Sequence, residues 1–510
     1  MNWWEETVFY EIYMPSFKDS NQDGVGDFRG ITSKIDYLKE LGIGGIWLTP
    51  YYPSPKVDNG YDISDYFSID PLYGDWEDFN LFIEKAHDAN IRVIVDLVVN
   101  HTSDEHPWFI ESRSSRNNPK RDWYIWRKQP NNWESFFGGS AWTLDEKTKE
   151  YYYHSFSEKQ VDLNWTHSEV KQAIFEVIDF WIDKGIDGFR LDVINNLSTS
   201  CSFQDNPYEE EGKQIHLNDV NQPGIMEAIK SIEEHVKKRN SSLFTVGEIS
   251  SDRLDVIEQY AGPDLFDVTF NFNFGSLEKL DIDEMFLQLK QMKEVYQENR
   301  YPTLFFGSHD MPRFWDRLAS KDLRVYQLLA ALLLTSRGVP FIYYGDELGT
   351  GDFVPHSLEE IKDIQAINRY HDEKNKHQTD QAALLEANKV NRDRSRASIQ
   401  WWDKQQDHSW IGFAKKNPDE TQIFQWFKQL LALRKKHYRA TYDYQMLHKE
   451  NDLIYYQLGD IVVLLNFGKK TKLGNKWGNL DMLLSNGKVQ VSTEQIIITD
   501  KTTWIGKVRV

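Results

Sequence analysis

One cysteine, Cys201, stands in a chain of 510 residues. An internal disulfide is excluded, and a reducing compartment is expected. No apolar run is long enough to span a bilayer. The opening Met-Asn-Trp-Trp-Glu-Glu lacks the basic stretch and apolar run of a secretory signal. A cytoplasmic protein with no membrane partner is the expectation. Positive charge is scarce: 59 Lys and Arg against 79 Asp and Glu leave a net charge of −20. Phosphate backbones call for a basic surface, so this balance argues against nucleic acid as a partner. There is no internal repeat and no low-complexity tract. What remains has the composition of a soluble globular chain, 40% hydrophobic and 27% charged, able to bury a large core. A monomer or weak homo-oligomer acting on a neutral molecule suits it.

Short apolar runs alternate with amphipathic stretches. Eight runs read as strands: Val8–Met14, Gly45–Thr49, Arg92–Val98, Gly188–Val193, Leu243–Gly247, Val268–Phe272, Thr303–Gly307 and Val339–Tyr344. Each is nearly continuous in apolar residues, as strands buried on both faces are. Between them Ile31, Ile35 and Leu38 predict a helix ending before Gly42. Trp76, Phe79, Ile83 and Ala86 predict another, capped by Asp75. Such alternation predicts an α/β fold, a (β/α)8 TIM barrel, over residues 1–100 and 168–438. Residues 101–167, rich in Trp, Tyr, Asn and Gly and without a clear helix, are expected to form an inserted irregular lobe after the third strand. Residues 439–510 are expected to form an antiparallel β-domain.

In such a barrel the active site forms at the C-terminal ends of the strands. The residues that follow the apolar runs are Asp96, Asn100 and His101 in "DLVVNH", Arg190 and Asp192 in "GFRLD", Glu248 in "TVGE", and His309 and Asp310 in "FFGSHD". Each alone has an ordinary structural explanation as a cap, an ion pair or a buried histidine. Together they bring three carboxylates to one rim, which is costly because like charges oppose each other's ionisation. Retaining glycosidases use such a set: one carboxylate attacks the sugar carbon while another, its pKa raised, protonates the leaving oxygen. Arg190, two residues before Asp192, faces the same way and would keep it ionised.

The segment "DSNQDGVGD" places Asp19, Asn21, Asp23 and Asp27 at positions 1, 3, 5 and 9 of an EF-hand-like loop. Gly24 falls at position 6 and the Val25 carbonyl at position 7. This pattern predicts a structural Ca2+, although position 12 is Gly30 rather than Glu; the ordinary reading is a polar Asx-turn.

The motifs "DLVVNHTSDEHPWF", "QVDLNW", "GIDGFRLDVIN", "TVGEIS", "SHDMPR" and "GVPFIYYGDELG" resemble the α-amylase superfamily, glycoside hydrolase family thirteen, and closely its oligo-1,6-glucosidase and dextran glucosidase members, over the chain to about residue 402. The resemblance implies Asp192 as nucleophile, Glu248 as general acid/base and Asp310 as the carboxylate that grips the sugar hydroxyls. It implies His101 and His309 on the same glucose, Arg190 behind Asp192, and Phe137 and Gln160 along the subsite. Asp62 and Arg396 are expected to pair and close the pocket behind a terminal glucose of a short α-glucan. In that subgroup Val after the nucleophile accompanies α-1,6 preference, and here it is Val193. The alternatives are an α-1,4-active glucosidase, a transglucosylase or sucrose isomerase-like enzyme, and a non-catalytic homologue. The complete calcium loop weighs against a trehalose 6-phosphate hydrolase, and no isomerase-type Arg/Asp-rich loop is found. Departures are Ser308 for Asn, "RASIQW" for Arg-Thr-Pro-Met-Gln-Trp, and Ile249 and Ser250 after the acid.

Overall fold

The computed structural model describes residues 2–200, 202–297, 299–402, 408–438 and 442–509; Cys201 lies outside them. Eight parallel strands form one sheet: β1 Phe9–Ile12, β2 Gly45–Leu48, β3 Arg92–Leu97, β4 Gly188–Leu191, β5 Phe244–Gly247, β6 Val268–Thr269, β7 Thr303–Leu304 and β8 Val339–Tyr343. Their spatial order is β6-β5-β4-β3-β2-β1-β8-β7. The two ends of this sheet meet through a side chain instead of a ladder. Thr303 Oγ1 donates to the Thr269 carbonyl at 3.0 Å and accepts from the Asn271 amide at 2.9 Å. All eight predicted runs are strands of this barrel, shorter at their ends than predicted.

Aromatic rings fill the barrel, with Phe9 stacked on Phe244 at 4.9 Å and on Phe341 at 4.8 Å. Gly45 makes the room, since a Cβ there would stand 2.6 Å from the Phe9 ring. Outside, the helix Trp76–Asp88 begins with a capping box built on Asp75. The helix predicted around Ile31 and Leu38 is two, Phe28–Thr32 and Ile35–Leu41, the second ending on left-handed Gly42.

Beyond β3 the chain leaves the barrel. Residues 101–167 carry a two-stranded sheet of His101–Ser103 with Gln160–Asp162 and a three-stranded one of Trp126–Arg127, Glu150–Tyr153 and Trp142–Asp145. They also hold a helix where none was expected, Pro107–Ser112. Six residues are too few to display a helical period, and Pro107 at its first turn reads as a breaker. After β8 the helices Ile364–Asn375 and Asp380–Val390 pack together and lead into the turn at Asp393–Arg396.

The C-terminal strands form two antiparallel sheets. Leu453–Leu458 and Ile461–Asn466 lie at the centre of the larger one. Tyr455, Leu464 and Trp504 face the smaller sheet, while Ile454, Tyr456 and Leu465 join the main core. Burial on both faces explains the continuous apolar "LIYY" and "IVVLL" runs.

Candidate active site

The eight parallel strands deliver their C-terminal ends to one rim. Asp96 in β3 and Arg190 in β4 are register partners, so both point into the barrel. Arg190 Nη1 donates to Asp96 Oδ1 at 2.9 Å and to Asp192, and its Nη2 donates to Glu248 Oε2 at 2.5 Å. One buried guanidinium thus serves three buried carboxyl groups. Tyr61 and Trp47 donate to the other Asp96 oxygen at 2.9 and 3.3 Å.

Three acids around one cation cannot all be ionised cheaply, so the cluster holds protons. Burial raises Asp192, and Arg190 opposes the rise. Burial pushes Glu248 up to about 8 against the pull of Arg190, with Asp192 and Asp310 adding to the rise. Glu248 is therefore the carboxyl that keeps its proton at neutral pH. For Asp310 burial is outweighed by the facing His309 Nε2, 3.1 Å away, and by the guanidiniums of Arg396, Arg392 and Arg190. Even with His309 neutral and acting only as a donor, the three guanidiniums favour the carboxylate, which is held well below the usual range. Arg396 Nη2 donates to Asp310 at 2.8 Å. Ser308 Oγ accepts from the Asp310 amide at 3.2 Å.

Val193 follows Asp192 with φ 38°, the left-handed region that a β-branched residue adopts only under strain. Two hydrogen bonds hold it there: the Val193 amide donates to Glu248 Oε2 at 3.1 Å, and the Ile194 amide donates to the Glu248 carbonyl at 3.0 Å. The strained turn thereby ties the residue after Asp192 to the proton-bearing carboxyl.

These groups open onto a cavity of about 240 Å3 whose wall brings together eight of the residues singled out in the sequence, Asp192, Val193, Glu248, His309, Asp310, His101, Phe137 and Gln160. Asp58, Tyr61, Phe156, Ser250, Gln365 and Arg392 complete the wall. The volume is below the range of larger ligand sites and suits one sugar ring. Burial lowers His101 to about 4, so it is neutral. A larger hollow at the opposite end of the barrel, beside Trp4, Glu233 and Tyr301, gathers none of this chemistry.

The expected pair of Asp62 and Arg396 does not form. Asp62 is fully buried and turned onto its own loop, accepting from Ser54 Oγ and from the Val57 and Asp58 amides at 2.8–3.1 Å. Arg396 lies behind Asp310. The pair at the cavity is Asp58 and Arg392, 2.7 Å apart. Gln160 donates to Asp58 at 3.0 Å, and the Arg392 guanidinium lies 5.0 Å from the Phe137 ring centre. Both residues sit next to the motifs that were read. Spacing alone could not choose among the acids of "DNGYDISD" or the three arginines of "NRDRSR".

In the loop 19–27, Asp19 accepts from the Asn21, Gln22 and Gly24 amides, Asp23 from Val25, and Asp27 from Ser20 and Gly30. Burial raises the Asp27 carboxyl, and Asp19 adds to the rise. Gly30 fills position 12 because the helix start presses on Lys18, whose carbonyl oxygen would stand 1.9 Å from a Cβ. Among the described residues no three His, Cys, Asp or Glu side chains gather as a metal centre. No helix among them is long and apolar enough to cross a membrane.

The oligo-1,6-glucosidase of Bacillus cereus is 37% identical over 91% of both chains. The trehalose-6-phosphate hydrolase of Bacillus subtilis is 41% identical over 78% of this chain and 74% of its own. Among solved structures, the trehalulose synthase of Pseudomonas mesoacidophila superposes with a TM-score of 0.91 at 29% identity over the whole of both chains. The profile "Alpha amylase, catalytic domain" matches residues 11–443. With that match over most of its length, and with relatives named as α-glucosidases, this chain belongs to the alpha-amylase family and is a glycoside hydrolase.

Proposed function

We propose that the enzyme is a retaining, exo-acting α-glucosidase that removes terminal α-1,6-linked glucose from isomaltooligosaccharides or short dextrans. The observation that carries this reading is the cavity itself: of a volume that suits one sugar ring, walled at the Asp58–Arg392 pair, with Asp192 and Glu248 on adjoining strand ends. A closed wall favours a chain end over the middle of a chain. Because both carboxyls bind neighbouring nitrogens of Arg190, they are close enough to favour direct attack over insertion of a water.

In the first step Asp192 attacks the anomeric carbon as the glycosidic bond breaks, and Glu248 gives its proton to the departing oxygen. In the second step Glu248 takes a proton from water, whose oxygen attacks the same carbon and frees Asp192. Arg190 opposes the rise that burial imposes on Asp192 and so favours its ionised, nucleophilic form. Asp310, held as a carboxylate, and neutral His101 are placed to bind hydroxyls of the distorted ring.

Val193 supports the linkage preference, because its branched side chain stands on the cavity wall next to Glu248 and Ser250. Calcium belongs to the same reading. Asp19, Asn21, Asp23, Asp27 and the Val25 carbonyl lie in one nine-residue loop and would offer only oxygen donors, the kind Ca2+ takes, once the ion drew them together; Asp19 and Asp27 are buried. Bound there, the ion would brace the loop between β1 and the first helix. One cysteine in the whole sequence supports a reducing, cytoplasmic setting.

Glucose release from isomaltose, panose, maltose, sucrose and trehalose 6-phosphate, run beside Asp192→Asn, tests the proposal. Release from the α-1,6 substrates, abolished in the variant, is expected. Faster release from maltose or trehalose 6-phosphate would overturn the linkage, and isomerised sucrose would overturn hydrolysis as the main outcome.

A further inference from the structure

Glu11 lies inside β1, where all four residues of Phe-Tyr-Glu-Ile are buried. A carboxyl group so placed needs a partner. Among the described residues its close partner is His309, also 2% exposed: Glu11 Oε1 lies 2.5 Å from His309 Nδ1 and accepts from the His309 amide at 3.3 Å.

Hydrogen-bond accounting fixes which atoms carry protons here. The His309 ring is nearly parallel to those of Tyr13 and Tyr61, at 12° and 10° with centroids 6.2 and 5.4 Å away, and the partners at its two nitrogens define its orientation. Its Nε2 faces the Tyr61 hydroxyl at 2.7 Å and Asp310 Oδ2 at 3.1 Å. Tyr61 has one proton and gives it to Asp96. The Tyr61 oxygen and the Asp310 carboxylate can then only accept from Nε2, which must bear hydrogen. A neutral imidazole protonated at Nε2 has a bare Nδ1 that needs a donor, and Glu11 is the group beside it. The charged alternative, carboxylate against imidazolium, would desolvate two ions within the barrel.

We propose that Glu11 is a positioning residue: as a neutral carboxylic acid it donates to His309 Nδ1 and so fixes Nε2–H as the donor facing Asp310 and the sugar. Burial, with Asp310 adding, raises the Glu11 carboxyl well above its usual value, and burial lowers His309 to about 3. Both directions agree with a neutral pair. The other charged groups around the ring, Asp310, Arg190, Arg396 and Arg392, leave the assignment to Glu11 unchanged because none of them reaches Nδ1 at hydrogen-bond distance. The inference rests on the reading that His309 faces the sugar.

The test compares Glu11→Gln and Glu11→Leu with the wild type, using enzyme labelled with 15N-histidine and no sugar present. The His309 resonances are identified by their loss in His309→Asn. A glutamine amide can still donate to Nδ1, so Glu11→Gln is expected to keep kcat/KM within about threefold and to keep the tautomer. Leucine cannot donate, so Glu11→Leu is expected to move the Nδ1 resonance to that of a bare, unpartnered nitrogen, to release the ring from its position, and to lose about 100-fold in kcat/KM, the cost typical of a misplaced group. Both nitrogens protonated in the wild type, or Glu11→Gln falling as far as Glu11→Leu, would overturn the proposal, as would full activity in Glu11→Leu. Should Glu11→Leu fail to fold, the wild-type spectrum and Glu11→Gln decide. Full activity in His309→Asn would instead overturn the reading of the site and leave the tautomer assignment standing.

Discussion

Arg392 donates to Asp58 at 2.7 Å across 334 residues of sequence, and the same guanidinium nitrogen is anchored by Asp363 at 2.6 Å. The pair is therefore held rigid before any sugar arrives. Asp58→Asn or Arg392→Ala should cut kcat/KM on isomaltose by about 100-fold or more, the usual cost of leaving one partner of a buried charged pair alone. Asp62→Asn should behave differently. Its acceptors serve backbone amides, so stability should fall by about 1–3 kcal/mol while kcat/KM stays within about threefold. Kinetics and thermal melts on the three variants check this.

The Glu248 proton gives two pH effects with defined signs. Activity needs the protonated acid, so kcat/KM should fall as pH rises through about 8. Stability follows from linkage. Folded Glu248 binds its proton more tightly than an unfolded glutamate, which titrates near about 4.3. Its contribution is fully present below the unfolded value and is lost as pH rises toward about 8. Glu248→Gln carries no such proton, so its melting temperature relative to wild type should rise by a few degrees between about pH 5 and about pH 8. Melts at the two pH values measure the difference.

Val193 combines a linkage-facing side chain with a strained backbone. Val193→Thr keeps the branching and should shift the maltose-to-isomaltose ratio of kcat/KM upward by about tenfold, within what one pocket group can discriminate. An unchanged ratio would remove Val193 from the account of specificity.

Calcium at the loop 19–27 predicts that chelation lowers the melting temperature and that added Ca2+ restores it. Asp19→Ala and Asp27→Ala should abolish the restoration. Melting curves that chelator and Ca2+ leave unmoved would rule the site out.

The barrel is legible in the sequence because strands covered on both faces are nearly continuous in apolar residues, as Val93–Val95 within β3 and Val339–Tyr343 are. The polar residue after each run then marks the rim, which is how Asp192, Glu248 and Asp310 could be found from afar. What is not legible depends on tertiary geometry. Asp58 and Asp62 differ only in where a tight loop aims them, and Arg392 and Arg396 differ only by one turn of chain. The short helix Pro107–Ser112 lies below the length at which periodicity speaks. Glu11 did leave a signal, a charge within an otherwise apolar strand, but its meaning depends on His309, almost three hundred residues away.

The most direct measurement is to trap the glycosyl-enzyme. Incubating the protein with 5-fluoro-α-glucosyl fluoride, digesting it and mapping the modified peptide by mass spectrometry locates the nucleophile. The account predicts a glycosyl ester on Asp192. An ester on another carboxylate, or turnover with inversion and no covalent adduct, would contradict it.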